Sequence, residues 1–226
     1  MNITQKAKVF IGILLLVLMT GAGHLYAEVS AEDFAQTRIL AEQGDADAQY
    51  NLGVMYYFGD NVSQDYARAS ELLGAAAQQN HTKAQCLLAE MYYVGNGVEQ
   101  SYSQALDWYT QAAENGCVQG QYNLGMMFYV GEGAPQSYAR ALKWLARAAK
   151  HGSPEAQYNL AGMYYYGLGT AQDYIQGYMW LDIAAKQGDS GALQALTEAT
   201  QQMTSAQVVE AQKRASVCFN SQYQDC

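Results

Sequence analysis

A 36-residue period runs through most of this chain, and an aperiodic globule would not keep it. The string Gln49-Tyr50-Asn51-Leu52-Gly53 returns as Gln121-Tyr122-Asn123-Leu124-Gly125 and as Gln157-Tyr158-Asn159-Leu160-Ala161. Between them stands a degenerate copy, Gln85-Cys86-Leu87-Leu88-Ala89. The spacing is 36 residues each time without an insertion, and segments 120–155 and 156–191 share 16 of 36 residues. Other columns keep step: Met55, Met91, Met127 and Met163; Gly59, Gly95, Gly131 and Gly167; Tyr66, Tyr102, Tyr138 and Tyr174. Leu72, Trp108, Trp144 and Trp180 form a further column, and Ala-Ala pairs recur at 76–77, 112–113, 148–149 and 184–185. A fixed period of this length marks supersecondary units that bury their apolar faces on one another. Four complete units span 48–191.

Each unit reads as two helices. In the first, Ala48, Leu52, Met55 and Tyr56 fall on one face of a 3.6-residue helix. Ser153-Pro154-Glu155 marks its start in the fourth unit, as an N-cap followed by an N1 proline. The glycines of the Gly59 column end it, because glycine accepts the left-handed conformation of a helix C-terminus. The second helix starts near the Tyr66 column, carries its apolar face on Ala69, Leu72, Leu73, Ala76 and Ala77, and stops at Asn80, Gly116, Gly152 and Gly188. The expected architecture is all-α, a right-handed α/α superhelix. Residues 28–47 and 192–217 read as N- and C-terminal capping helices, with Ser30 and Thr204 as their N-caps, and 218–226 as a tail.

The pattern Ala-Gln-Tyr-Asn-Leu-Gly, then Met-Tyr-Tyr, Gly-x-Gly, Gln-Asp/Ser-Tyr, Ala, Trp, Ala-Ala and Gly resembles the Sel-one-like repeat, a relative of the tetratricopeptide repeat. The resemblance covers about residues 31–217. Unit one departs from it at Asn61 and Leu72, and unit two at Cys86 and Leu87. The resemblance implies an α-solenoid with a scaffold or adaptor role and a protein partner. In tetratricopeptide-type solenoids the first helices line the concave surface. Carried over here, the groove face is the Tyr50, Asn51, Val54 and Tyr57 face of each first helix. Down the stack this gives Tyr50, Tyr122 and Tyr158; Asn51, Asn123 and Asn159; and Tyr57, Tyr93, Tyr129 and Tyr165. Regularly pitched asparagines can bond an extended peptide backbone, and tyrosines supply rigid contact area with a polar tip. The competing reading has the tyrosines pack between helices and the asparagines bond within their own units.

Residues 1–27 have the layout of a secretory signal peptide: Lys6 and Lys8, an 11-residue apolar run from Val9 to Met19, then small residues with cleavage expected after Ala27 or Ala22. The run is shorter than the roughly 20 residues a membrane span needs. Removing it leaves 10 basic and 21 acidic side chains. The expected location is periplasmic or secreted, with no stable membrane span after cleavage. Such an acidic chain lacks the basic stripe that phosphate neutralisation requires, which excludes nucleic acid as the main partner. A neutral or basic segment is the better match.

Catalytic signals are weak. Gly95-x-Gly97, Gly131-x-Gly133 and Gly167-x-Gly169 lack the preceding strand and third glycine of a phosphate loop and read as interhelical turns. His81 and His151 have no metal-ligand neighbour at helical spacing, and HExxH, CxxC and GxSxG strings are absent. No catalytic residue, metal or cofactor is assigned. Four cysteines in an exported chain permit two disulfides. Hairpin geometry favours Cys86–Cys117, and proximity favours Cys218–Cys226, with free thiols as the alternative. The leading reading is a non-enzymatic binding scaffold. The alternatives are a cell-envelope accessory or weak penicillin-binding, β-lactamase-like enzyme, as in cysteine-rich relatives, and a polysaccharide-binding export component. The regular Cys pair of those cysteine-rich relatives is missing here.

Overall fold

Every inter-unit turn is built from the same two devices, an oxygen, sulfur or imidazole cap at the start of a helix and a left-handed residue at its end. The computed structural model describes residues 31–226; the leader expected at 1–27 and the N-cap expected at Ser30 lie outside them. Among the described residues there are eleven α-helices and no strand. A lone helix, α1 (Ala31–Glu42), precedes four pairs: α2 (Ala46–Phe58) with α3 (Tyr66–Gln78), α4 (Thr82–Val94) with α5 (Tyr102–Glu114), α6 (Val118–Val130) with α7 (Tyr138–Lys150), and α8 (Pro154–Tyr166) with α9 (Tyr174–Lys186). Two more helices, α10 (Ser190–Thr200) and α11 (Ser205–Asn220), pack on α9 and close the stack. Asp45, Asp65, Ser101, Ser137, Ser153, Asp173 and Asp189 each accept a backbone N–H of the first turn through their side chains, as N-caps do. The first helices stop at Gly59, Gly95, Gly131 and Gly167, with φ between 68° and 92°.

From α1 to α10 each helix packs on its neighbours in sequence, and α11 returns to α9, so the core is a continuous strip of helix–helix contacts. Small residues set the approach. Ala76, Ala112, Ala148 and Ala184 are fully buried. A Cβ on Gly53 would stand 2.9 Å from Leu73 Cγ, and one on Gly125 only 2.8 Å from Leu145 Cγ. Large residues fill the remaining space: Leu73, Leu145, Leu160, Met91, Met127 and Met163 are all at most 2% exposed. Burying each such side chain contributes about 1.5–3 kcal/mol. The second loop glycine has a separate reason to be conserved in pitch. A Cβ on Gly97, Gly133 or Gly169 would run into the backbone of Tyr66, Tyr102 or Tyr138 in the preceding unit. Asn61 takes the equivalent place in the first unit, with φ 60°.

One buried polar residue recurs in every unit. Gln49, Gln85, Gln121 and Gln157 are 9%, 0%, 3% and 0% exposed. Each side-chain amide donates to a carbonyl eight residues back, in the last turn of the preceding second helix: Ala41 at 3.3 Å, Ala77 at 3.2 Å, Ala113 at 3.1 Å and Ala149 at 3.1 Å. Each amide oxygen accepts from the residue thirty positions on, at the end of its own unit. The donors are Gln79 at 2.8 Å, Asn115 at 3.0 Å, His151 at 2.8 Å and Gln187 at 2.6 Å. Because the Gln121 nitrogen is committed to Ala113, its oxygen faces His151, whose Nδ1 therefore carries the proton. The glutamine thus pins three consecutive helices together and satisfies itself, as a buried amide must.

The last helix runs past Val217 to Asn220, so Cys218 belongs to the helix and is fully buried there rather than lying in a free tail. Thr204 and Gln207 form its capping box, and Gln212 donates to the buried Tyr178 hydroxyl at 3.2 Å.

Candidate functional site

The first helices share one face whose composition is tyrosine, asparagine and carboxylate. Tyr57, Tyr93, Tyr129 and Tyr165 are half-buried at its C-terminal edge. Each ring meets the tyrosine that opens its own unit's second helix, with centroids 5.2, 5.2, 5.2 and 5.0 Å apart on Tyr66, Tyr102, Tyr138 and Tyr174. Loop glutamines hold the same edge: Gln64, Gln100, Gln136 and Gln172 donate to the Tyr57, Tyr93, Tyr129 and Tyr165 carbonyls at 2.8, 2.9, 2.8 and 2.8 Å. The column is therefore pre-ordered, with limited rotamer entropy left to lose on binding. Burial pushes the Tyr129 phenol up to about 12. Tyr93 is raised further by burial and by its hydroxyl donating to Glu132 Oε2 at 2.7 Å.

The Tyr50 column is spent on the joints between units. Tyr50 stacks on His81, the cap of the next first helix, at 4.5 Å. Tyr122 and Tyr158 are half-buried, with phenols raised first by desolvation and then by nearby carboxylates, Glu155 and Asp189 for Tyr122 and Asp189 and Glu198 for Tyr158. Cys86 takes this place in unit two and meets Cys117, the cap of α6, with the sulfurs 2.7 Å apart. The structure joins Cys218 to Cys226 and holds Cys86 and Cys117 as thiols.

The asparagines divide between surface and fold. Asn51 is exposed. Asn123 donates to the Tyr109 hydroxyl at 2.8 Å and accepts from Gln119 at 3.1 Å, so it links α6 to α5. Asn159 donates to the Glu155 carbonyl at 2.8 Å within its own helix. Val54, expected on the same open face, is only 7% exposed.

Glu90 occupies the Val54 position one unit later, and sequence reasoning passed over it. Its carboxyl is half-buried in the face, close enough to Tyr57, Cys86 and Tyr109 to raise all three electrostatically. No donor or cation pairs with it among the described residues. Burial raises its pKa above the ordinary carboxylate value. A raised folded-state pKa makes the folded chain bind the proton more tightly than the unfolded chain, so stability present at acid pH is lost as pH rises through the folded value. Glu90→Gln should therefore melt about 2–4 °C higher than the parent at pH 7, with the gap closing near pH 4. Thermal unfolding followed by circular dichroism at both pH values checks this. The signal for Glu90 was available in the sequence, as an acid where the other three units hold Val54, Met126 and Gly162.

The same column continues onto α10 as Glu198. Gly162 leaves it open, since nothing lies within 4 Å of a Cβ there. Ala161, Gly162, Tyr165, Tyr166, Leu181 and Glu198 line the resulting shallow depression. Among the described residues no three His, Cys, Asp or Glu side chains gather in a metal-binding group, and no helix is long and apolar enough to cross a membrane.

Comparison with known proteins agrees with this geometry. The Sel1 repeat model matches residues 46–81, 82–117, 118–153 and 154–189. A search of curated proteins returned no match. Among solved structures, the chain is similar to c5321, a protective antigen of uropathogenic Escherichia coli strains displaying an SLR fold. The identity is 36% and the TM-score 0.69, over 70% of this chain and 34% of that one. The chain thus spans about a third of that antigen's length. It is also similar to a Sel1 repeat protein of Oxalobacter formigenes, at 32% identity and TM-score 0.69, over 73% of this chain and 68% of that one. Four matched repeats in unbroken register, on a helical-pair stack shared with both structures, make this chain a member of the Sel1 repeat family.

Proposed function

We propose that the first-helix face is a groove that binds an extended protein segment, and that Glu90 receives a basic side chain of that segment. Sel1 repeats generally mediate protein–protein interaction and typically form non-enzymatic scaffolds, which makes a protein the expected class of partner. The observation that carries the finer reading is Glu90. A half-buried carboxylate without a partner costs stability, and such local conflicts are characteristic of functional surfaces. A lysine or arginine would supply the missing partner. The ordered Tyr57, Tyr93, Tyr129 and Tyr165 column gives a rigid aromatic floor, which also suits a cation. Tyr50, Tyr122 and Tyr158 set the joints behind it. Asn51, with the remaining capacity of Asn123 and Asn159, faces the backbone of the bound strand. The net charge of −9 speeds encounter with such a segment.

Export out of the cytoplasm fits the leader-like residues 1–27 and the Cys218–Cys226 disulfide, since structural disulfides persist in oxidising compartments. The binding test uses fluorescence anisotropy with extended peptides of matched length that are lysine-containing, neutral or glutamate-containing. The lysine peptides should bind tightest. Glu90→Gln should weaken them about tenfold, close to 1.4 kcal/mol, while leaving the neutral peptides unchanged. Tyr129→Ala should weaken both. Equal affinity of parent and Glu90→Gln for the lysine peptides would remove Glu90 from the site, and indifference to both variants would move binding to another face.

A further inference from the structure

Two positions in this chain change together where units two and three meet. Elsewhere the Gln-Tyr-Asn column holds tyrosine, as at Tyr50, Tyr122 and Tyr158, and only Cys86 departs from it. The cap that faces it changes with it. The other caps in this column are Asp45, His81, Ser153 and Asp189, and α6 alone is capped by a sulfur, that of Cys117. Sulfur is not among the preferred N-caps, so capping alone does not account for cysteine there. The two sulfurs stand 2.7 Å apart, against about 2.05 Å in a disulfide. Both residues are partly exposed, and closing the bond needs a movement well under an ångström.

The two cysteines are not equivalent. Cys117 Sγ accepts the Gly120 N–H at 3.3 Å at the start of α6, where the helix dipole favours negative charge. Its thiol is lowered by the sulfur–sulfur contact with Cys86 and by the Gly120 and Gln119 amides. Cys86 is raised by the same contact and by burial. A thiolate beside a protonated thiol is the arrangement of a nucleophile and a resolving cysteine.

We propose that Cys86 and Cys117 form a thiol–disulfide exchange site that takes its oxidising equivalents from an external disulfide. The Cys117 thiolate attacks one sulfur of R–S–S–R. That S–S bond breaks, one R–S⁻ leaves, and a Cys117 mixed disulfide forms. Cys86 then gives up its proton to the departing thiolate, and its sulfur attacks Cys117 Sγ, expelling the second R–S⁻, which is protonated from solvent. Two protein thiols are oxidised to one disulfide, and the external disulfide is reduced to two thiols. The product ties α4 directly to the start of α6, one turn along α4 from Glu90.

The test uses the full chain, reduced, with the Cys86 and Cys117 thiols free and oxidised glutathione as the probe. Samples are quenched in acid, digested at glutamate and read by mass spectrometry. The parent should form the Cys86–Cys117 link without a lasting glutathione adduct. Cys86→Ser should accumulate one glutathionyl group on Cys117. Cys117→Ser should react at Cys86 at least about tenfold more slowly, as an ordinary buried thiol would. Serine already caps α5, α7 and α8, so Cys117→Ser keeps its cap, and circular dichroism verifies the fold of both variants. Equal rates in the two variants would overturn the assignment of roles. A parent that keeps its glutathione adduct, or fails to react while an unfolded control does, would overturn the site itself.

Discussion

Excising residues 118–153 should leave a shorter, fully helical protein, whereas excising 118–135 should leave an unfolded one. The whole-unit deletion joins Cys117 to Pro154 and removes one α6–α7 pair. Gln157 then finds the Ala113 carbonyl eight residues back in place of Ala149, and α8 packs on α5 as α6 did. Units contact mainly their neighbours, so one can be lost while the others keep their interfaces. The 18-residue deletion takes α6 and its turn but leaves α7. Two second helices then follow each other, with no glutamine, no Leu124 and no Met127 between them. The far-ultraviolet circular dichroism of the two proteins separates the outcomes. Equal helicity would show that the 36-residue pair is not the folding unit.

Gln157→Ala should destabilise the chain by about 3 kcal/mol and lower its melting temperature by roughly 6–12 °C. The side chain is fully buried, so alanine leaves a cavity as well as two broken hydrogen bonds. The Ala149 carbonyl keeps its bond from the Gly152 amide, and Gln187 is partly exposed and can turn to water, which holds the loss below that of a wholly orphaned pair. Gln49→Ala should cost about half as much, because Gln49 is 9% exposed and its bond to Ala41 is long at 3.3 Å. Chemical denaturation of both variants checks the order. Equal losses would mean that volume, and not the hydrogen bonds, sets the cost.

Much of this architecture is readable from single residues. Gly59, Gly95, Gly131 and Gly167 end helices where their letters suggest. Asn80, Gly116, Gly152 and Gly188 adopt positive φ at the ends of the second helices. Thr204 opens the last helix. The glutamine pin is harder to see, because glutamine on a helix normally reads as surface. Its partners lie 8 and 30 residues away, and the donor changes from Gln79 to Asn115 to His151 to Gln187, so no identical letter reveals it. The asparagine column shows the opposite difficulty. Its period is plain, yet Asn123 and Asn159 find donors and acceptors close by, and the sequence alone does not weigh a neighbour's carbonyl against a ligand's. Val54 and Glu90 share a column, and only packing shows that the valine is covered while the carboxylate is left without a partner. The C-terminal helix overruns Val217 because no glycine or proline stands before Asn220 to stop it.

The spacing of the pin bears on how such a chain can change over generations. Each glutamine borrows its carbonyl from the unit before and finds its donor at the end of its own unit. A duplication or loss of 36 residues, wherever its breakpoints fall, returns every borrower to a valid lender. A length that is not a whole multiple of 36 leaves at least one amide facing the wrong turn. The number of units is therefore a variable that recombination can adjust without renegotiating the core, and the reach of the tyrosine-lined face grows or shrinks with it by whole steps. The helix α1 is exempt from this freedom. It lends Ala41 to the first pin, so losing α1 would leave Gln49 without its lender.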